Sequence, residues 1–450
     1  MLNVNNIFKL SENNTCIRTE ALAGITTFLT MAYIIIVQPA VLSMDFTGKP
    51  TGLDYGAVLL ATCVASAITS IFMGLYAKYP IALAPGMGEN FFFVTVVMSL
   101  TATHPGNSWQ TALGIVFISG FLFFLLSIFK VRQLVIDAVS PSMRNGITAG
   151  IGLFIAFIGL RNGGIIVKKP ESTWIAINTD MLSADVAVFI VGLLTAAALQ
   201  ARKTRGAVLW GIIASAITAL ALGKIHPPQS IFGFPEIKQS AIFKMDLYSA
   251  LDIACIPFII VFLFMVFFDT IGTLIGVAEQ AGFMKDNKLP RASRVLIVDA
   301  TGTMLGAALG TSTVTSYIES AAGVSYGGRT GLTSVVVGLL FLLALFFGPV
   351  IGMVGQYLPI TAPALVIVGA MIMKSVSRID WDDHSESIPS FLIAICIPLT
   401  FSIADGMALG FIVYPIIKLL AGKTKQTSWL MYVLSFILIL YFIKVRTNLP

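Results

Sequence analysis

The sequence predicts an all-α polytopic membrane protein of fourteen transmembrane spans, arranged as two inverted repeats of seven. Three observations carry this reading. Of 450 residues, 11% are charged and 57% hydrophobic, against about 25% charged in soluble domains. The mean hydropathy is +0.91. Apolar stretches long enough to cross a bilayer recur along the whole chain. A water-soluble chain of this length could not cover its surface with so few charges, which excludes a soluble enzyme, a nucleic-acid binder and a disordered chain. The net charge of +6 and the pI near 9.1 imply no nucleic-acid partner, because surplus Lys and Arg gather in the cytoplasmic loops of membrane proteins. Cys16, Cys63, Cys255 and Cys396 show no metal spacing, and three of them lie in apolar stretches as small core residues. With His104, His226 and His384 as the only histidines, no metal site, no cofactor and no catalytic group is expected.

Taken in order, residues 1–20 read as a polar cytoplasmic tail without a cleavable signal. Spans near 21–43, 57–77, 87–100, 110–129, 145–160, 184–201 and 206–222 make the first repeat, 21–222. A junction, 223–251, contains His226-Pro227-Pro228 and several charges. The second repeat, 252–421, holds spans near 252–278, 294–310, 314–323, 331–354, 361–376, 388–402 and 404–421. Residues 422–450 carry one further apolar segment, 428–443, and a tail. With the N-terminus inside and sides alternating, nineteen of the 28 Lys and Arg residues fall inside, Arg144, Lys203, Lys285, Lys288, Arg329 and Lys418 among them. Lys444 and Arg446 fall outside if the last segment crosses, which argues against its crossing. Seven spans per half place the halves upside down relative to each other, the inverted repeat of many secondary transporters. The third and tenth spans are short and broken. They follow Ala84-Pro85-Gly86-Met87-Gly88 and Gly310-Thr311-Ser312-Thr313, and paired interruptions at matching places point to a midplane binding site.

A carboxylate at a helix centre costs on the order of 2.5–3.5 kcal/mol, so each one asks for a reason. Asp185, Asp252, Asp405 and Lys418 stand near enough to span ends to reach the interface. Glu89, Asp269, Asp299 and Glu319 stand inside spans and are the candidate proton-coupling groups, the alternative being that they are protonated or cap half-helices. No basic residue accompanies Asp299 and Glu319 between Val295 and Gly328, which disfavours an anion and suits a neutral or cationic solute with N–H donors. Hydroxyls gather nearby: Thr26, Thr27 and Thr30, then Thr270 and Thr273, then Thr311, Ser312, Thr313, Thr315 and Ser316. Broken-helix N-termini would add oriented N–H donors. Gly272 and Gly276, and Gly302, Gly306 and Gly310, have the spacing of close helix packing. Gly327-Gly328-Arg329-Thr330-Gly331 lacks the ending of a phosphate-binding loop and reads as a turn. Asp380-Trp381-Asp382-Asp383-His384 reads as a solvated interfacial turn.

Several of these stretches are familiar together. Ala23-Gly24-Ile25-Thr26-Thr27-Phe28-Leu29-Thr30-Met31-Ala32-Tyr33, Ala82-Leu83-Ala84-Pro85-Gly86-Met87-Gly88, Phe268-Asp269-Thr270-Ile271-Gly272-Thr273, and Tyr317-Ile318-Glu319-Ser320-Ala321-Ala322-Gly323 resemble the AzgA-like purine permeases. These are the bacterial guanine/hypoxanthine or adenine permeases within the nucleobase–ascorbate transporter group. The resemblance runs from about residue 10 to 425. It implies a core domain of spans 1–4 and 8–11, a gate domain of spans 5–7 and 12–14, and purine import across the plasma membrane. By the same resemblance, the substrate-binding residues are Asn90, Asp269 and Glu319, with Thr27, Thr30, Thr273 and Ile318 beside them. This chain carries Glu89 where many members have an apolar residue, Val266 where many carry an Asp, and Gln38-Pro39 in place of Asn-Pro.

The expected partners are a purine nucleobase, a proton before sodium, and the lipid bilayer, with a homodimer left open. Guanine and hypoxanthine are favoured over adenine, because a carboxylate accepts two adjacent N–H donors such as guanine presents. Phe91, Phe92, Phe267 and Phe268 are available to pack against the base, although each also suits ordinary helix packing. The rival reading is a channel or exchanger for another small solute on the same architecture, which would call for Arg or Lys in the third or tenth span. A membrane-embedded hydrolase would want a Ser–His or metal pair. Charge asymmetry places the loops 202–205 and 279–294 in the cytoplasm and Lys238 outside. In a cysteine-free background, an impermeant thiol reagent added outside should therefore label Lys238→Cys and spare Lys203→Cys; the opposite pattern inverts the topology.

Overall fold

Long uncharged apolar runs have no water to bond their backbone in a membrane, so they close their hydrogen bonds internally as helices. The computed structural model describes residues 4–46, 48–129, 139–167, 175–283 and 290–444. In chain order the elements are α1 (Ile17–Met31), α2 (Ile34–Ser43), α3 (Tyr55–Phe72), β1 (Leu83–Pro85), α4 (Met87–Thr103), α5 (Ser108–Ile128), α6 (Pro141–Asn162), β2 (Ile166–Val167), β3 (Ala176–Ile177), α7 (Ala184–Ala201) and α8 (Ala207–Ala221). The second half continues with α9 (Ile256–Ala281), α10 (Ala292–Leu309), β4 (Val314–Ser316), α11 (Ser320–Tyr326), α12 (Gly331–Ala344), α13 (Gly348–Gly355), α14 (Leu358–Ile372), α15 (His384–Thr400), α16 (Ile403–Leu420) and α17 (Trp429–Lys444). Among the described residues, nine helical stretches are long and apolar enough to cross a membrane, with shorter apolar helices at Met87–Thr101, Ala207–Ala221 and Gly331–Ala344.

The two segments read as broken spans are each a short strand followed by a helix. Pro80 and Pro85 keep residues 79–86 from continuing as helix. β1 instead pairs antiparallel with β4, Leu83 opposite Ser316, Ala84 opposite Thr315 and Pro85 opposite Val314. Buried hydroxyls and nearby backbone close what two short strands leave open. Ser70 Oγ accepts from the Leu83 amide at 2.9 Å and donates to its carbonyl at 3.1 Å. Ser320 Oγ accepts from the Ala82 amide at 3.0 Å, and the Ala82 carbonyl accepts from the Tyr317 amide at 2.9 Å. The Tyr317 hydroxyl donates to the Pro85 carbonyl at 2.5 Å, and the Gly86 amide to the Thr313 carbonyl at 3.2 Å. Gly302 and Gly306 were expected by spacing to let helices approach: Gly302 does so against Thr69 of α3, and both also admit this strand region. A Cβ on Gly306 would stand 2.3 Å from the Ser312 carbonyl oxygen.

The helices pack as two groups. α1–α5 lie against α9–α13, with α5 on α10, and α12 on α3 and α1. α6, α7 and α8 lie against α14, and α15 against α6 and α16. Aromatic rings lock one part of the boundary: Phe46 and Phe91 of the first group meet Phe154 of the second at centroid distances of 5.4 and 6.0 Å. Phe401 packs on Phe154 and Phe157 behind them.

Several boundaries differ from those read in the sequence. Helix α1 begins at Ile17, so the end of the supposed tail 1–20 is helical. The first span is broken between Met31 and Ile34, where the Ile35 and Ile36 amides bond back three residues to Ala32 and Tyr33. The stretch 331–354 is two helices, α12 and α13. Segment 428–443 forms α17 and packs on α16. Lys285 and Lys288, expected inside, lie outside the described residues, as do Lys130, Arg132, Lys168, Lys169 and Arg446.

Some charges also fall elsewhere than expected. Asp252 is exposed and caps a short turn, and half-buried Asp185 accepts from Tyr357 and faces Lys224 at 3.6 Å. Lys418 and Asp405, by contrast, do not reach an interface: they are 1% and 6% exposed. Lys418 Nζ pairs with Glu386 at 2.8 Å and donates to Gln426 at 3.1 Å, satisfying a cation that burial would otherwise penalise. Asp383 is part of this network and not merely a solvated turn. It caps α15, and Lys423 at 2.8 Å holds its carboxyl well below the ordinary range.

Glu20 is the largest departure. Fully buried, it accepts from the Arg329, Thr330 and Thr333 amides and, at 2.6 Å, from the Thr333 hydroxyl at the start of α12. The Gly327–Gly331 turn thus presents its N–H groups to an internal carboxylate, favoured there by the positive helix end. Arg329 caps the end of α11 by donating to the Val324 and Gly328 carbonyls. Glu20→Ala strands these buried donors and should destabilise the protein by about 2–4 kcal/mol. Thermal unfolding of purified wild type and variant measures it, and an unchanged midpoint would contradict the capping role.

Candidate functional site

Away from the aromatic lock, a cleft is marked by exposed residues on both helix groups, Asp269 and Gly272 of α9 and Thr148 of α6. Its floor is the face of α9 that carries Asp269, Gly272 and Gly276, residues three or four apart and therefore on one side of a helix, with Thr273 buried beside them. Asp269 and Gly272 are exposed within it. A Cβ added to Gly272 would meet nothing within 4 Å, and one on Gly276 would meet only Ile318. The spacing of these glycines suggested helix packing; at Gly272 the structure instead leaves open space. Ile318, 46% exposed, and half-buried Glu319 and Thr30 form one wall.

Three carboxylates converge from different elements. Asp269 Oδ2 accepts from Thr315 Oγ1 of β4 at 3.1 Å. Glu89, 3% exposed in the first turn of α4, folds its carboxylate back beside Gly86, where a Cβ would lie 2.2 Å from Glu89 Oε2 and 3.4 Å from Thr315 Oγ1. Thr315 therefore stands between the two acids. Glu319 occupies the N-cap position of α11 without capping it. Its carboxylate accepts from the Tyr33 hydroxyl at 2.9 Å, at the break between α1 and α2. The expectation that a helix N-terminus holds Glu319 is thus corrected: α11 has only seven residues, and a tyrosine from the first span does the holding.

Other candidates sit apart from this opening. Asp299 is fully buried and accepts from the Ser316 amide at 3.2 Å and hydroxyl at 2.8 Å, bracing the end of β4. Asn90 is fully buried and accepts from Ser312, which with Thr311 also meets Gln38 Nε2 at 3.2 and 2.9 Å. Gln38 and Asn90 therefore tie α2 and α4 to the 311–312 segment. Thr27 is buried against α11, where a Cβ on Gly323 would stand 2.1 Å from its hydroxyl. Thr30 donates to the Thr27 carbonyl of its own helix at 2.7 Å. Phe91, Phe92 and Phe267 are buried in ring contacts with Phe154, Phe262 and Phe123, which leaves half-buried Phe268 at the cleft's edge.

Sequence reasoning missed Tyr33 as a site residue and Arg144 altogether. Arg144 was counted among loop charges, yet its guanidinium lies over the Phe268 ring at 5.4 Å, across the cleft from α6. The signal for Tyr33 was its place in a long recognised motif. Nothing local marked Arg144, because the contact joins residues 124 positions apart in the chain.

Comparison with known proteins bears on this geometry. The profile of a family described as Permease family matches residues 18–409. The guanine/hypoxanthine permease PbuG of Bacillus subtilis is 43% identical over 445 residues, covering 97% of this chain and 98% of that protein. The adenine permease AdeP of Escherichia coli is 41% identical over 435 residues, covering 96% and 94%. Among solved structures, the transmembrane domain of the cyanobacterial bicarbonate transporter BicA superposes with a TM-score of 0.63 at 14% identity, covering 87% of this chain and 97% of that one, a likeness of fold.

Exposure separates cleft residues from braces. In a background without native cysteines, Ile318→Cys should react with a small thiol reagent in the purified protein, whereas Asn90→Cys should react at least about tenfold more slowly. Equal rates would mean that Asn90 faces the opening.

Proposed function

Because the chain belongs to this permease family, a family of transporters and not of enzymes, we propose that it imports purine nucleobases, guanine and hypoxanthine before adenine, by proton symport. The observation that carries this reading is the pair of accessible carboxylates, Asp269 and Glu319, held where two broken segments meet in a cleft between two helix groups. In this reading the chain is a multi-pass protein of the plasma membrane with its N-terminus in the cytoplasm, and its fourteen spans form the seven-plus-seven inverted repeat. The antiparallel pairing of β1 with β4 supports that symmetry, since an inverted repeat brings its broken spans together head to head. The group containing α1–α5 and α9–α13 is the core, the group containing α6–α8 and α14–α16 is the gate, and rocking one against the other alternates access.

The chemistry suits a purine. A carboxylate on the core accepts the N1–H and amino donors of guanine as a pair. Hypoxanthine keeps one of these bonds, and adenine, with no N1–H, needs a protonated acid. Glu319 is the ligand for that edge, with Thr30 and Ile318 beside it; Tyr33 fixes the carboxylate through Oε1, an oxygen whose second lone pair, with Oε2, remains for the base. Asp269 and Glu89, on either side of Thr315, are the coupling groups, because two nearby carboxylates hold a proton between them more readily than either alone. Asp299 serves as a brace of β4, and Asn90 and Thr273 support the pocket from behind. The alternative of a channel or exchanger for an anion would set cations, not acids, at the broken segments.

Uptake in a purine-transport-deficient host and competition binding to purified protein test the proposal together. Asp269→Asn should insert normally and lose protonophore-sensitive accumulation. Glu319→Gln should weaken guanine about ten- to a hundredfold, hypoxanthine less and adenine least, the cost of removing one partner of a charged hydrogen bond. Wild-type accumulation by Asp269→Asn, or unchanged guanine affinity in Glu319→Gln, would remove the residue concerned from its role.

A further inference from the structure

The carboxylates account for one edge of a bound base and belong to one helix group. The opposite wall of the cleft is α6, whose residues Arg144, Thr148 and Ile151 recur at helical spacing on one face. Ile151 touches the base of α4: a Cβ on Gly88 would stand 2.9 Å from Ile151 Cγ2 and 3.9 Å from Met265 Cε of α9. One turn nearer the opening, Thr148 is exposed. One turn further, half-buried Arg144 lays its guanidinium over Phe268, the neighbour of Asp269 in the chain, at 5.4 Å from the ring centroid. The cation thus stands near the acid-lined floor over an aromatic face, a contact that attracts a guanidinium without using its N–H donors as hydrogen bonds.

We infer that Arg144 is the specificity residue for 6-oxopurines, its guanidinium donating to O6 and N7 of the base while Glu319 receives the N1–H edge. This rests on the purine reading above and deepens it. A guanidinium has five donors in a planar fork and no acceptor. Its fork matches the two adjacent acceptors O6 and N7, which guanine and hypoxanthine share. Adenine sets an amino donor where O6 would be, so the fork meets one acceptor and one opposing donor. Five donors also mean that other bonds made by Arg144 need not exhaust it. The consequence is directional. A 6-oxopurine joins a carboxylate of the core to a cation of the gate, so binding the right base draws the two groups together, whereas adenine engages the core side alone. No chemical step is involved, only hydrogen bonds exchanged for water.

Competition binding of guanine, hypoxanthine and adenine to purified wild type, Arg144→Gln and Arg144→Lys tests the inference. Arg144→Gln should lose about ten- to a hundredfold in affinity for guanine and for hypoxanthine alike, and less than about threefold for adenine. Arg144→Lys, which keeps the charge without the fork, should recover only part of the loss. Equal losses for guanine and hypoxanthine distinguish this contact from that of Glu319, whose loss should be greater for guanine. Retained adenine binding shows that the variant is folded. Equal loss for all three bases, full recovery by Lys, or no change in any base overturns the role of Arg144. A wild type that binds adenine but neither oxopurine also overturns it, while a wild type that binds no purine at all fails the function proposed above and not this contact alone.

Discussion

Residues 79–86 and 311–319 leave their helices in an apolar interior, and every peptide group they expose there must find a partner in the protein. That requirement organises the structure. An unmet buried N–H or C=O costs about 1–3 kcal/mol, and two strands of three residues cannot meet the need alone. They pair with each other, and Ser70, Asp299, Ser320, Ser334 and Tyr317 supply much of the rest. Gly302 and Gly306, with no Cβ, leave the room the strand region occupies. Glu89, Thr315 and Glu319 are consequently fixed on backbone with little freedom to move, and a carboxylate can stay accessible without dragging unsatisfied peptide groups into the open.

The same crossing ties the first helix group together by hydrogen bonds, whereas its boundary with the second is of another kind. α3, α9 and α10 are tied to the strands by side-chain bonds through Ser70, Asp269, Thr303 and Asp299, and α4 and α12 to the flanking residues through Asn90 and Ser334. Helix α6 and its partners touch this body through apolar and aromatic faces, Ile151 on Gly88 and Phe154 on Phe46 and Phe91. Apolar contacts can slide or part without stranding a charge, whereas the hydrogen-bonded crossing cannot. Within the second group the buried network of Lys418, Glu386, Tyr414 and Ser140 joins α16, α15 and the start of α6, so that group too holds together as a body. Arg144 brings a charge to the boundary, where its guanidinium lies over the Phe268 ring.

Much of this could be read from residue patterns. Asp269 and Glu319 were legible as charges in apolar stretches, and both line the cleft. Glu89 and Asp299 looked alike in sequence and part ways in the fold, one beside Thr315 and one beneath Ser316. Asn90 sits one residue from Glu89 but on another face of α4, which turns it toward Ser312 and Gln38. Glu20 was taken for the end of a tail because its four donors come from residues 309 to 313 positions away. Lys418 and Asp405 were placed at an interface for a similar reason: distance to a span end measures depth along a helix, and says nothing about which side of it is covered.

The sequence by itself determined that the chain lives in a membrane, where its helices run, that two of its spans break at proline- and glycine-rich stretches, and that acids stand inside. These follow from composition, period and local backbone preference, which act over a few residues. Tertiary structure alone decided that the two breaks face each other, that Tyr33 and Thr315 hold the acids, that Gly272 fronts open space instead of a helix, and that a cation from α6 reaches the rim of the cleft. Those outcomes depend on pairings between segments tens to hundreds of residues apart. They are selected by which arrangement satisfies every buried polar group at once, a condition that no local stretch of sequence can state.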